Sequence, residues 1–252
     1  SMMYAMKQLE TDSLDVNGAK LNTSLGIIGD CTGAGKSITM LGYIAQHINV
    51  YPDKKILQTW GSCVYVKKGS PSGVSKSLIV VPHSCVSQWL TYSAENTNLI
   101  VKTITKRKDI NNFIADDEHL VICSNTMYNE FISLTQINWM RVVFDEADTI
   151  NIKVAIEPLT DFTWFLTSSL TNLLYPSGVF FDRTEVNGRS MISRNYVDGI
   201  RKLGFIKSCM KAFERCDATD VLKLIVLKNS DSFVKASFNL PPLTTCIVRC
   251  RS

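Results

Sequence analysis

Short apolar runs alternate with amphipathic segments along the first two thirds of the chain. Six of these runs have the length of buried strands, and they lie at 25–29, 77–82, 99–104, 119–124, 140–148 and 163–169. Between them, apolar residues spaced by three and four predict helices over 36–48, 84–94 and 124–134. Continuous apolar strands that alternate with helices are typical of a parallel sheet covered on both faces. The pattern therefore predicts an α/β fold.

The pattern changes after about residue 170. The stretch 176–238 has helical spacing and many Arg and Lys residues, which predicts a basic helical insertion or subdomain. An apolar run then follows Pro241 and Pro242 and predicts one last strand. Residues 58–76, which are rich in Gly, Ser and Lys, are interpreted as a polar excursion before the second strand of the sheet.

Composition limits the class of protein. With 252 residues and 45% hydrophobic residues the chain can bury a sizeable core, which excludes a disordered or fibrous protein. The net charge of +4 means that a polyanionic partner has to be bound by a local patch. The chain contains neither a long apolar run nor the apolar core of a signal peptide, so we expect a soluble, intracellular protein with no membrane partner.

Residues 29–37, with the sequence GDCTGAGKS, follow an apolar strand and open a helix. This arrangement points backbone N–H groups and a helix N-terminus at a phosphate. Lys36 is expected to reach the β and γ phosphates of ATP, and the Ser37 hydroxyl to bind Mg²⁺. Asp30 stands where the usual pattern has glycine, so we expect its carboxylate to point away and to accept hydrogen bonds from its own loop. The predicted binding loop comprises Thr32, Gly33, Ala34, Gly35, Lys36 and Ser37.

A second acidic element completes this candidate site. The run 142–148, VVFDEAD, places Asp145 and Glu146 at the carboxyl end of a buried strand, which is where ligands bind in open α/β sheets. Asp145 is expected to hold Mg²⁺, and Glu146 to orient or deprotonate the attacking water. With Lys36 as the third catalytic residue, the two elements predict an ATP hydrolase.

Five motifs, in their order and spacing, resemble those of superfamily 2 helicases and translocases. The resemblance is to the Swi/Snf-like branch in particular and to similar ATPases of large DNA viruses. TGAGKS matches motif I, IVVPHSCVSQW resembles motif Ia, ICSNTMYNEF resembles the next strand with motif Ib, DEAD matches motif II, and FLTSS resembles motif III. The resemblance covers about residues 8–170, with a weaker echo at 239–250, and it departs from the family at Asp30 and at 167–169.

The resemblance implies a RecA-like P-loop domain over 3–175, which is the first lobe of a two-lobed enzyme. The insertion over 176–238 and a return strand over 239–252 would then lead to a second lobe of the same polypeptide. The implied cofactors are ATP and Mg²⁺, and the implied partner is DNA or RNA, bound through its backbone. A viral member would act in the host cytoplasm or the virion, for example in transcription.

The family's motifs IV to VI, with the arginines that complete the ATP site, are absent from these 252 residues. We therefore expect this lobe by itself to hydrolyse ATP barely or not at all.

Several residues are assigned by a mixture of position and resemblance. Two polar groups at helix starts after strands can hold a nucleic-acid phosphate without reading bases, although ordinary helix capping explains them equally well. They consist of Ser84 and Gln88, and of Ser124, Asn125 and Thr126. The resemblance further implies that Gln8 recognises adenine and that Thr167 and Ser169 couple hydrolysis to movement. Trp89 is expected in the core rather than as a base-stacking platform.

Two other functions stay open. A P-loop kinase of a small substrate would need lid arginines after the phosphate loop, and it gives no reason for the segments at 79–89 and 165–169. A degenerate lobe that serves only as a nucleotide-binding interaction module is disfavoured by the intact Lys36, Ser37, Asp145 and Glu146.

Overall fold

The structure is a computed structural model. It describes residues 1–11, 14–16, 19–21, 23–50, 52, 55–60, 63–68, 75–152, 155–174, 179–186, 189–196, 225–230 and 232–234. Among these residues, none of the helices has the length and apolar character needed to cross a membrane.

A seven-stranded sheet forms the centre of the molecule, and all its neighbouring strands pair in parallel. In spatial order the strands run β13-β3-β10-β9-β6-β8-β7. Their bounds are β3 Leu25–Ile28, β6 Ser77–Val81, β7 Val101–Ile104, β8 Leu120–Ser124, β9 Trp139–Phe144, β10 Thr160–Leu166 and β13 Val226–Leu227. Almost all residues of the five central strands, β3, β10, β9, β6 and β8, are buried, as expected for a sheet covered on both faces.

Helices connect these strands and pack on the sheet. In the described part of the chain they are α1 Met2–Thr11, α2 Lys36–Gln46, α3 Val86–Asn96, α4 Arg107–Asn111, α5 Tyr128–Thr135 and α6 Leu170–Leu174, and a 3₁₀ turn lies at His83–Cys85. Three further strand pairs lie outside the central sheet, and each is antiparallel. They are β1 Leu14–Val16 with β2 Ala19–Leu21, β4 Lys55–Trp60 with β5 Cys63–Lys68, and β11 Val179–Val186 with β12 Arg189–Tyr196.

The predicted α/β architecture is confirmed, because all six predicted strands and all three predicted helices are present near the expected bounds. The prediction of helices across 176–238 is wrong for its first part, where β11 and β12 form an extended antiparallel pair. A short strand, β13, also falls inside this stretch and joins the central sheet. The predicted polar excursion at 58–76 also contains regular structure, because its first half lies in the antiparallel pair β4 and β5. The predicted return strand at 243–250 lies outside the described residues.

A buried ion pair, which the sequence analysis did not anticipate, ties α1 to the sheet. Glu10 on α1 and Arg141 in β9 are fully buried and meet at 2.6 Å. The Glu10 carboxylate also accepts hydrogen bonds from the Tyr43 hydroxyl at 2.7 Å and from Trp164 Nε1 at 2.8 Å. The Arg141 guanidinium donates to two backbone carbonyls that follow α2, those of His47 and Val50. Every charged group here has several partners, which is the condition for burying a charge.

Candidate functional site

Four neighbouring strands end at the same edge of the sheet, and the candidate residues follow directly after them. Cα pairing sets Ile28 opposite Leu166, Phe144 opposite Phe165 and Val80 opposite Phe144. The phosphate loop after β3, the acidic pair after β9, the polar residues after β10 and the helix start after β6 therefore lie along one line. This is the carboxyl edge, where open parallel sheets bind ligands.

The predicted phosphate loop turns twice in the left-handed region. Gly33 has φ of 82° and Gly35 has φ of 80°, values that favour glycine because a Cβ would be strained there. Gly35 directly precedes α2, so the loop ends at a helix N-terminus as predicted. Lys36, the first residue of α2, is largely buried, and its Nζ donates to the carbonyl oxygens of Asp30 and Cys31 at 2.8 and 3.0 Å.

Asp30 is held from elsewhere in the chain. Its carboxylate accepts hydrogen bonds from the backbone N–H of Asn229 at 2.7 Å and from the Asn229 side-chain amide at 2.8 Å. We expected these donors to come from the loop itself, and that expectation is wrong. A segment that returns beside β3 as β13 supplies them, because the Gly29 N–H donates to the Leu227 carbonyl and brings Asn229 level with the loop.

Asp145 is a buried carboxylate with a tryptophan donor. Its Oδ2 accepts a hydrogen bond from Trp89 Nε1 at 2.7 Å, and the residue is 6% exposed. Burial raises the pKa of Asp145, while the Trp89 indole, the Glu146 backbone N–H and the positive charge of Lys36 act to lower it. Trp89 lies in the core, as predicted. Its contact with Asp145 was not anticipated, because no local pattern joins a helix residue to a carboxylate 56 positions later.

Glu146 adopts a backbone conformation that is unusual for its residue type. Its φ of 48° lies in the left-handed region, which costs free energy for any residue with a Cβ and is concentrated at functional sites. The Glu146 carbonyl accepts from the N–H groups of Thr149 and Ile150, and the Ala147 N–H donates to β10, so the turn is fixed on both sides. Partial burial and the neighbouring Asp145 raise the pKa of Glu146, and Lys36 lowers it.

The residues after β10 connect the acidic turn to α6. The buried Thr167 hydroxyl donates to Asp148 Oδ1 at 2.6 Å and accepts from the Ser169 N–H at 3.0 Å. The Ser169 hydroxyl in turn accepts from the Asn172 N–H. A displacement of the Asp148 side chain would therefore disturb the hydrogen bond of the Thr167 hydroxyl. The coupling role of Thr167 and Ser169 stays a prediction.

The five predicted nucleic-acid contacts fall into two groups. Ser84, Gln88 and Thr126 are exposed at the carboxyl edge, where a polymer could reach them. Ser124 is buried, and its hydroxyl lies 3.0 Å from that of Thr126. Asn125 accepts from the His83 N–H and donates to the Asn151 carbonyl, so its amide joins the segment after β6 to the loop that follows the acidic turn.

Gln8 lies on the exposed side of α1, where its amide donates to the Tyr4 hydroxyl at 3.1 Å. A role for Gln8 in adenine recognition stays a prediction. Glu10, two residues further on, is buried and bonded to Tyr43, Arg141 and Trp164. A sequence signal for it existed, because an arginine inside the apolar strand WMRVVF requires a buried acidic partner.

The chain is similar to known proteins in sequence and in fold. The family described as SNF2-related domain matches residues 10–157, which is more than half of the chain. No curated protein matches. Among solved structures, the Sulfolobus solfataricus SWI2/SNF2 ATPase core in complex with dsDNA is similar with a TM-score of 0.52 and 13% identity, over 90% of this chain and 42% of that one.

Two further solved structures are similar at a lower level. The UvsW helicase from bacteriophage T4 has 16% identity and a TM-score of 0.40, over 62% of this chain and 52% of that one. The Type ISP restriction-modification enzyme LlaBIII bound to DNA has 12% identity and a TM-score of 0.39, over 81% of this chain and 14% of that one. The chain thus spans about half or less of these structures. The fold is a RecA-like α/β fold.

Proposed function

The chain belongs to the SNF2-related domain family, and from this premise we propose that it is the N-terminal ATP-binding lobe of a nucleic-acid-dependent ATPase. In this proposal a helicase or translocase couples ATP hydrolysis to movement along, or remodelling of, DNA or RNA. The observation that carries the proposal is the meeting of three groups at one edge of the sheet. The charge of Lys36, in the phosphate loop, acts on both Asp145 and Glu146, which lie together in the acidic turn after β9.

The donor set fits Mg·ATP. Glycine-rich backbone followed by a helix N-terminus and a lysine is suited to phosphate oxygens. The Asp145 carboxylate has about four acceptor sites, and hydrogen bonds from Trp89 and the Glu146 N–H leave capacity for a cation that prefers oxygen ligands. Ser37, half-buried at the start of α2, would supply a hydroxyl oxygen. Bound Mg²⁺ would neutralise charge that develops on the phosphates.

The residues of this chain would then divide the work of hydrolysis. Lys36 would leave backbone carbonyls for phosphate oxygens, which are stronger acceptors because they are charged. Glu146 would orient the attacking water and take its proton, a task for which a raised pKa is favourable. The fixed left-handed turn at Glu146 would keep that carboxylate in place.

Nucleic acid is the proposed polymer, held by its backbone along the exposed residues Ser84, Gln88 and Thr126. We take duplex DNA as the first polymer to test, because the similar Sulfolobus solfataricus ATPase core was solved in complex with dsDNA. Full turnover is proposed to need a second lobe. Charge supplied to the γ phosphate from outside the loop is typically worth about 10³ to 10⁵ in rate.

An ATPase assay of the full-length protein tests the proposal. We expect hydrolysis to rise with added duplex DNA, single-stranded DNA or RNA, and the strongest stimulator identifies the polymer. The 252-residue chain alone should show little stimulated turnover. Full stimulated activity in that chain would contradict the two-lobe proposal. If no nucleic acid changed the rate of hydrolysis, the proposal that nucleic acid is the partner would be wrong.

A further inference from the structure

The amino end of the phosphate loop is fastened to a segment that lies 199 residues later. Asp30, which is 2% exposed, offers both carboxylate oxygens to Asn229, one to its backbone N–H at 2.7 Å and one to its amide at 2.8 Å. One residue earlier, the Gly29 N–H donates to the Leu227 carbonyl. A buried carboxylate with two aligned donors is held in one orientation, because losing either bond leaves a buried charge partly unsatisfied.

The same residue contacts the lysine of the loop through its main chain. Lys36 Nζ donates to the Asp30 carbonyl at 2.8 Å, and the loop turns directly afterwards, with the Ala34 N–H donating to the Cys31 carbonyl. Because the Asp30 side chain and carbonyl share one Cα, fixing the carboxylate also fixes the point at which the loop leaves β3. Asn229 is therefore two contacts from the ammonium group that is proposed to bind phosphate.

We propose that Asp30 and Asn229 form a clamp that positions the phosphate loop, so that affinity for Mg·ATP depends on the segment 225–230. This inference rests on the proposed function, because it takes Lys36 as the phosphate-binding group. Both clamp residues are positioning residues. Movement of the segment changes nucleotide affinity, and nucleotide binding favours the clamped segment by the same free energy. The clamp thus links the phosphate loop to the segment 225–230. This segment comes shortly before 239–252, which is the predicted connection to a second lobe.

Two kinds of variant of the full-length protein distinguish the clamp from simple charge repulsion between Asp30 and the nucleotide. One kind keeps the net charge and the other removes a charge. Isothermal titration calorimetry measures the affinity for Mg·ATP. Asn229→Ala removes one donor without changing charge, and we expect affinity to fall by about 3- to 10-fold. Asp30→Ala removes a negative charge near a bound anion, so electrostatics alone would tighten binding, whereas the clamp predicts weaker binding. Asn98→Ala, at an exposed asparagine far along the chain from both elements, is the matched control and should leave affinity unchanged.

A reciprocal exchange gives the sharper result. Asn229→Asp alone sets two carboxylates against each other, and we expect affinity to fall by about 10-fold or more. The double variant Asp30→Asn with Asn229→Asp restores an amide facing a carboxylate at the original net charge. It should recover most of the affinity. If the melting temperature shows that a single variant is poorly folded, recovery of affinity in the double variant still tests the clamp.

The results distinguish the clamp from the function on which it rests. Wild-type affinity in Asn229→Ala, tighter binding in Asp30→Ala, or no recovery in the double variant would each overturn the clamp and leave the ATPase proposal standing. Absence of Mg·ATP binding by the wild-type protein would instead remove the proposed function.

Discussion

Two buried carboxylates at opposite ends of the central sheet, Glu118 and Asp145, have different surroundings. Glu118 lies before β8 at the amino end, fully buried, with Lys76 and Lys102 at 2.7 and 3.0 Å and with the Asp116 N–H as a further donor. Burial acts to raise its pKa, but these donors outweigh burial and lower the pKa to about 2. Asp145, at the carboxyl end, has no such pair of cations in the described part of the chain, and its pKa is raised.

The difference separates carboxylates that have a structural role from those with the proposed catalytic role. Glu118, like Glu10 with its arginine, tyrosine and tryptophan, has donors enough to be stable as an anion inside the protein. Among the residues that the structure describes, the carboxylates of Asp145 and Glu146 keep acceptor capacity unused, and Glu146 is held in an unfavourable backbone conformation. Among the described residues, unused acceptor capacity in the acidic pair at 145–146, beside the well-paired Glu118 and Glu10, is what the proposed Mg·ATP site would require.

The largest expected effect is on hydrolysis, at Glu146. Glu146→Gln keeps the shape of the side chain but removes the base, so stimulated hydrolysis should fall by about 10² to 10⁴ while Mg·ATP still binds. Lys36→Ala should lose binding as well, because it removes the phosphate contact. Unfolding in urea should show no loss of stability in Glu146→Gln. Glu95→Gln, at an exposed position on α3, is the control. Undiminished hydrolysis in Glu146→Gln would refute its assignment as the base.

The opposite response is expected at Glu10. Glu10→Gln leaves the buried Arg141 guanidinium without its counter-ion, and breaking such a pair typically costs about 3 to 5 kcal/mol of stability. Urea denaturation measures this cost. The double variant Glu10→Leu with Arg141→Met, which replaces the pair by apolar groups, should be less destabilised than Glu10→Gln. A loss below about 1 kcal/mol, which is the size of a surface effect, would show that the network is not structural.

How far the sequence predicted these two edges depends on the range of the interactions. The strands and the phosphate loop are set by neighbouring residues, so local patterns located them. The contacts from Trp89 to Asp145 and from Asn229 to Asp30 join positions 56 and 199 residues apart, and no local pattern carries them.

The antiparallel pair β11 and β12 was missed for a different reason. The sequence Asn187-Gly188 lies between two runs of eight residues and is the strongest short-range signal for a β-hairpin. The prediction of helices rested on the helical spacing of this stretch and on its many Arg and Lys residues.

Acid titration sharpens the comparison at Glu118. Its native pKa of about 2 is below its ordinary value of 4.5, so the ionised form favours the folded state. Its contribution is complete above pH 4.5 and is lost as the pH falls from there toward 2. The shift corresponds to about 3 kcal/mol. Glu118→Gln should flatten the pH dependence of urea stability over this window, and a slope equal to that of the wild type would contradict the assigned pKa.

The smallest effect is expected at Trp89, and it tests whether the indole donor of Trp89 matters to the proposed Mg²⁺ site at Asp145. Trp89→Phe keeps an aromatic ring in the core but removes the N–H that donates to Asp145 Oδ2. Loss of such an outer partner typically lowers metal affinity by about 10-fold or more, so half-maximal ATPase activity should require about 10-fold more Mg²⁺, with kcat at saturating Mg²⁺ less affected. Trp139→Phe is a matched control, because Trp139 is equally buried and its Nε1 has no hydrogen-bond partner among the described residues. If both variants shifted the Mg²⁺ requirement equally, the effect would come from core packing, and the carboxylate would not depend on its indole partner.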